Sequence, residues 1–294
     1  MDVRKVDSRQ IMGAALLVLS LQILPVSDTL AKYLSSSLPI VQVIWARFFF
    51  HCLATGAYSS LRYGRGCLTP SVSWRLAARS AALFIAVGLF YVAIRFMPLT
   101  TALTLWFVAP LILTIMARFI VKEFVSPVQW AAIIAGFLGI VLAIRPTPSA
   151  WDWTYPIGLL AGAAYAIFLL LTRFVENRTP PIVSVYQTGL VGCLASSAMV
   201  VANWQNPTLL QWLLLAATGV VAAVAHFFIV KAFEFADAST LAPFTYSEVI
   251  GAAILGFVVF GDLPDILAVA GLGIIIFSAI AVTRYANSGQ PGRA

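Results

Sequence analysis

The sequence predicts an all-α integral membrane protein: ten transmembrane helices forming two inverted five-helix repeats, with both termini in the cytoplasm. Three observations carry this. The 294 residues are 61% hydrophobic and only 10% charged, with a mean hydropathy of +0.96. A soluble domain runs nearer about 45–50% apolar and 25% charged. One soluble core of this size cannot hide so much apolar surface, which excludes a cytosolic enzyme, a disordered chain and a secreted disulfide scaffold. Second, apolar runs of roughly 20 residues, the length of one bilayer crossing, recur along the chain and part at Pro, Gly and charged residues. Third, the Lys and Arg residues are distributed unevenly between alternate connections.

The elements follow in order. The first run, 10–32, comes after Arg4, Lys5 and Arg9 and imitates a secretory leader. No A-x-A-like cleavage site follows it, so it reads as a retained first helix. The second, 40–61, and third, 75–96, are joined by a loop carrying Arg62 and Arg65. The fourth, 98–118, contains Pro110 and ends at the charged bend Lys122–Glu123. The fifth to ninth are 127–145, 155–174, 181–203, 207–232 and 239–260. The tenth, 264–284, follows the bend Gly261–Asp262–Leu263–Pro264. The connections are short and leave no room for a sizeable domain outside the membrane.

With the N-terminus inside, fourteen of the eighteen Lys and Arg residues fall inside, Arg79 among them. Lys32, Arg95 and Arg145 fall outside, and Arg47 lies within a helix. That bias places both termini in the cytoplasm of a cell whose inner (plasma) membrane holds the chain. Trp151, Trp153 and Trp204 at the outer side, with Trp74 and Trp130 near the inner, fit an aromatic belt. A net charge of +7 would suggest nucleic acid in a soluble protein. Here orientation accounts for it, so no nucleic-acid partner is expected. Cys52, Cys67 and Cys193 make neither a disulfide framework nor a metal pair. The expected partners are a small-molecule substrate and the lipid bilayer, with no cofactor; monomer and homodimer both remain open.

Residues 93–145 align without a gap on 232–284 at an offset of 139. Phe96 meets Phe235, Thr101 meets Thr240, Glu123 meets Asp262 and Arg145 meets Arg284. Two halves follow, 10–145 and 155–284, with a short cytoplasmic tail at 285–294. Five helices per half is odd, so the second half enters from the opposite side. Inverted repeats of this kind place a substrate site near the midplane.

The phrases Phe90–Ala102, Pro110, Lys122–Glu123 and Gly136 to Gly139, then Lys231–Phe244 and Phe260–Asp265, resemble the drug/metabolite transporter superfamily with two EamA-type repeats. Two departures are Asp262, where the family usually has Glu, and Val249, at the repeat equivalent of Pro110. The resemblance implies a transporter of small metabolites and no enzyme. Its relatives export amino acids, or move purines, riboflavin, sugars and drugs; aromatic amino-acid exporters are the nearest match. Export of small zwitterions by alternating access is therefore expected, with another small metabolite as the alternative.

Ionisable groups at membrane depth cost roughly 2.5–3.5 kcal/mol each on insertion scales, so they point to function. Glu248, mid-helix in 239–260 beside Thr245, Tyr246 and Ser247, is the first candidate for an ammonium or a proton. Asp28 follows Pro25, whose ring frees the Leu21 carbonyl and permits unwinding; its structural alternative is an ion pair with Lys32 at i+4. Arg47 offers a forked grip on a carboxylate, against snorkelling to the outer interface. His51 shares its helix face, and His226 stands among alanines; for both, simple packing competes with binding. Trp106, Tyr91, Tyr165 and Tyr246 are mid-span rings with polar tips, suited to an amphipathic solute or to cation–π contact. Trp45 points away from Arg47, towards lipid. Gly158/Gly162, Gly136/Gly139 and Gly271/Gly273 mark close helix contacts within the chain or across a dimer.

Two other classes fit less well. An intramembrane enzyme needs a clustered nucleophile and base or a metal pair, and the two histidines lie 175 residues apart with no such motif. A channel needs a continuous polar pore. The absence of a nucleotide-binding motif argues against direct ATP drive.

Overall fold

A computed structural model describes residues 8–69, 74–96, 99–144, 154–175 and 180–260, with scattered residues between 266 and 281. The expected bend at Gly261–Pro264, the tail 285–294 and Trp151, Trp153 and Arg145 lie outside the described residues, as do Arg4, Lys5, Arg178, Arg284 and Arg293. The described elements are all helical. They are α1 (Ser8–Ser35), α2 (Ile40–Tyr63), α3 (Trp74–Phe96), α4 (Leu99–Trp106), α5 (Ala109–Met116) and α6 (Pro127–Ile144). Then come α7 (Thr154–Val175), α8 (Pro181–Val200), α9 (Leu209–Phe235), α10 (Ala238–Leu241) and α11 (Glu248–Phe260).

Six of the described helices are long and apolar enough to cross a membrane: α1, α2, α3, α7, α8 and α9. Local chemistry explains where they stop. α2 ends at Gly64, whose φ of 78° is left-handed and suits a residue without Cβ. α9 opens with a capping box in which Thr208 and Gln211 satisfy each other's backbone N–H groups.

The fourth and ninth expected helices are not continuous. The fourth breaks at Phe107–Val108, between α4 and α5, then widens into a π-turn over Ala117–Val121 that ends at left-handed Lys122. Pro110 causes the first break, since it has no N–H to return to the Trp106 carbonyl. The ninth becomes a 3-10 segment over Ala242–Ser247 between α10 and α11. Pro243 removes the bond to the Ser239 carbonyl, and the Gln129 side chain donates to that carbonyl instead, at 3.2 Å. The alignment at Val249 leaves the second half without a proline break; Pro243 supplies one six residues earlier. The expected unwinding at Pro25 is not found: α1 runs through it as one helix.

α1 packs along α9, α3 along α7, and α2 against both α8 and α9. Hydroxyls bind the first pair: Ser20 donates to the Ala225 carbonyl at 2.8 Å and Ser27 to that of Thr218 at 3.0 Å. Gly136, Gly139, Gly158 and Gly162 serve contacts within the chain. A Cβ on Gly162 would stand 2.7 Å from the Trp106 carbonyl, one on Gly139 2.9 Å from that of Gly271, and Gly136 faces the Tyr246 ring. Gly273 has open space beside it. Trp45 does not point to lipid: its indole donates to Ser197 on α8 at 3.1 Å, and its ring meets Phe49 and Trp204.

Arg79 is likewise no loop charge. It is 1% exposed, donating from Nε to Thr172 at 3.0 Å and from Nη1 to the Ser184 hydroxyl. Its guanidinium lies over the Phe168 ring.

Candidate functional site

Trp106 and Glu248, which flank the two helix breaks, line one small internal cavity. Seven of the nine expected site residues line it: Asp28, Arg47, Tyr91, Trp106, Tyr165, His226 and Glu248. Leu24, Leu83, Val87 and Phe90 complete the wall. These four carry no polar signal that would separate them, in sequence, from any other membrane residue.

On the α1–α2–α3 side the charges are matched. Arg47 is buried and does not snorkel; its Nη1 donates to Asp28 at 3.0 Å, to Ser27 at 3.2 Å and to the Tyr91 hydroxyl at 2.6 Å. Asp28 therefore pairs across helices with Arg47 and not with Lys32. The Lys32 ammonium instead donates to the Ile94 carbonyl at 2.9 Å. A buried ion pair of this kind holds only because each charge has its partner and added hydrogen bonds. Ser27 is the member that sequence reasoning misses. The signal for it is slight: it precedes Asp28 in a helix whose next turn is polar.

The α7–α9–α11 side is different. The 3-10 segment ends at Ser247, so Glu248 is not mid-helix but the first residue of α11. The helix dipole favours a carboxylate at that end. Glu248 is 3% exposed, and the Trp106 side chain is within hydrogen-bonding reach of it. No salt bridge pairs it among the described residues. Tyr165 stacks on Trp106 with ring centroids 4.4 Å apart, and Phe90 closes the other flank at 4.9 Å. The Tyr165 hydroxyl and both ring nitrogens of His226 are buried without a partner among the described residues.

Two expected residues do not reach the cavity. His51 is buried one layer behind, its Nε2 at 3.1 Å from the Val185 carbonyl and its ring against that of His226. Tyr246 is wedged between the two breaks, its ring 6.2 Å from that of Phe107 and pressed on Gly136.

A latch of charges lies at the α5–α6 bend. Glu123 accepts the Ser239 N–H at 3.0 Å, and Arg173 reaches both Glu123 and Asp237. It ties the bend to the end of α7 and the start of α10.

The arrangement brings together groups that suit a small amphipathic solute: a carboxylate for a cation, an arginine for an anion, and aromatic walls. The EamA-like transporter family profile matches residues 6–145 and 152–284, and the chain belongs to that family. It is 26% identical over 264 residues to an S-adenosylmethionine uptake transporter of Rickettsia prowazekii, covering 90% of each chain. It is 28% identical over 221 residues to a riboflavin transporter of Vibrio cholerae (74% and 73%). It is 26% identical over 280 residues to the pseudopaline exporter CntI of Pseudomonas aeruginosa (92% and 96%). A solved crystal structure shares the fold, with a TM-score of 0.77 at 20% identity over 94% of this chain and 98% of that one.

The chain is thus a multi-pass membrane transporter of small metabolites. The narrower expectation of an aromatic amino-acid exporter is not what these relatives are named for. Their names include uptake as well as export.

Proposed function

We propose that this chain is a secondary transporter of small metabolites carrying an amino-acid group, working by alternating access between two inverted five-helix halves. The observation that carries the reading is the cavity itself, where an unpaired Glu248 faces a paired Asp28 and Arg47 across an aromatic wall. Glu248 meets the substrate cation. Arg47 meets the carboxylate, exchanging Asp28 for it as the substrate enters. Trp106 and Tyr165 pack the side group, Tyr91 steadies Arg47, and His226 and Asp28 complete the wall.

Two features of the packing support the two halves. The broken helices stand at corresponding positions, the fourth of each half, and such breaks line binding sites in transporters. The dominant pairings, α1 with α9 and α3 with α7, exchange with each other when the halves are swapped. Both termini in the cytoplasm and an inner-membrane location belong to the same proposal.

S-adenosylmethionine is the first substrate to test, because it combines a cationic amino-acid head with an aromatic base. The experiment is counterflow in liposomes holding the full chain, with labelled S-adenosylmethionine outside and unlabelled compound inside. Accumulation that falls in Glu248→Gln is expected. Failure with S-adenosylmethionine and with phenylalanine overturns the amino-acid reading. A second reading, an uncharged flat ring such as riboflavin, is favoured by the Trp106–Tyr165–Phe90 cluster. Riboflavin counterflow indifferent to Glu248→Gln would establish it.

A further inference from the structure

The aromatic wall carries more polarity than a hydrocarbon side chain can use. His226 is 2% exposed, as is Tyr165. Both line the cavity, and the Tyr165 hydroxyl, His226 Nδ1 and His226 Nε2 find no partner among the described residues. Buried side-chain polar atoms are satisfied in the large majority of cases. Of the buried side-chain atoms left without a partner among the described residues, these three are the ones carried by residues that line the cavity.

Their orientation is fixed. Phe168 meets His226 edge-on at 5.6 Å and stacks on Tyr165 at 5.8 Å, and Trp106 also stacks on Tyr165. A neutral imidazole presents one donor and one acceptor, and a phenol presents both. Together they match a ring whose edge carries acceptors beside donors.

We propose that His226 and Tyr165 are specificity-determining residues that read the hydrogen-bonding edge of a heteroaromatic ring in the substrate. This deepens the reading above and rests on it only for the amino-acid head. A bare phenyl ring leaves all three atoms unpaired. Sites built around such groups reject the analogue lacking them far more strongly than apolar pockets reject a missing methylene. A purine-bearing solute satisfies them.

The test separates ring from head. Thermal unfolding of the full-length protein in detergent is followed with adenosine, which has the ring and no amino-acid group, and with phenethyl alcohol, a hydrocarbon ring. Adenosine should raise Tm saturably in the wild type and phenethyl alcohol should not. Tyr165→Phe combined with His226→Gln should raise the half-saturating adenosine concentration at least tenfold. Tyr165→Phe alone, which deletes one oxygen, should give part of that shift. Equal half-saturation in wild type and both variants, or no adenosine response in the wild type, overturns the proposal. A wild type that responds to adenosine yet shows no S-adenosylmethionine counterflow would retain the ring site and lose only the amino-acid head.

Discussion

The two walls of the cavity solve the problem of buried polarity in opposite ways. On the α1–α2–α3 wall Asp28, Arg47, Ser27 and Tyr91 satisfy one another. On the α7–α9–α11 wall, among the described residues, Glu248 has no cationic partner, and Tyr165 and His226 leave three atoms unpaired. A satisfied network holds helices together; an unsatisfied one costs stability and gains only when something else supplies the bonds. On the function proposed above, the difference separates a wall that must open its own network to take substrate from a wall already short of partners.

The largest expected effect falls on the satisfied wall. Asp28→Asn leaves Arg47 buried without its counter-ion, which costs about 3–5 kcal/mol in such settings. Reversible unfolding in mixed micelles measures it. Asp28→Asn with Arg47→Gln should recover part of the loss, because the stranded charge goes with its partner. Strict additivity of the two single losses would break the comparison, since the pair would then not act as a unit.

Glu248→Gln comes next and should do the reverse. Losing a hydrogen bond to a charged group is worth about 1.5–3 kcal/mol, or roughly ten- to a hundredfold in transport. Stability should hold or rise slightly, because an unpaired buried charge has been removed. A variant that unfolds early while transporting normally would move Glu248 to the structural wall. In the same measurement Gly162→Ala tests what seats the aromatic ring. Its Cβ would meet the Trp106 and Leu105 carbonyls at 2.7 and 3.0 Å, backbone atoms that cannot turn aside. Overpacking of that kind costs about 1–3 kcal/mol and should carry Tyr165, one turn away, off the Trp106 ring.

Much of this is legible in the sequence, for particular reasons. The offset of 139 pairs Phe107 with Tyr246, and these two rings meet between the helix breaks. Ionisable residues at membrane depth are so costly that Asp28, Arg47, His226 and Glu248 stand out, and all four reach the cavity. Partners are less legible. Local spacing offers Lys32 to Asp28, whereas the pair forms between helices, which no i+4 count contains. Arg79 sits near a helix end and reads as an orientation charge, because nothing in its neighbourhood along the chain shows that Thr172 and Ser184 will surround it. Tyr246 and His51 have the right residue type and depth, but the helix face each presents depends on packing that a single sequence does not record. The break before Glu248 is hidden by the gapless alignment, which matches Pro110 to Val249, while Pro243 interrupts the helix from another position.

Lys32→Met is the smallest and sharpest of the predictions. If Lys32 were the partner of Asp28, its loss would strand a buried carboxylate and resemble the loss of Arg47. The observed geometry gives it a different role, because its ammonium donates to the Ile94 carbonyl and joins α1 to the end of α3. Methionine keeps the apolar stem and forfeits one charge-assisted bond at a partly exposed site, so the cost should be about 1 kcal/mol. Tm should fall by a few degrees, and counterflow should stay within about twofold of wild type, since a 1 kcal/mol loss common to all states leaves their relative energies unchanged. A loss as large as that of Asp28→Asn would return Asp28 to Lys32 and free Arg47 for the substrate in the resting protein.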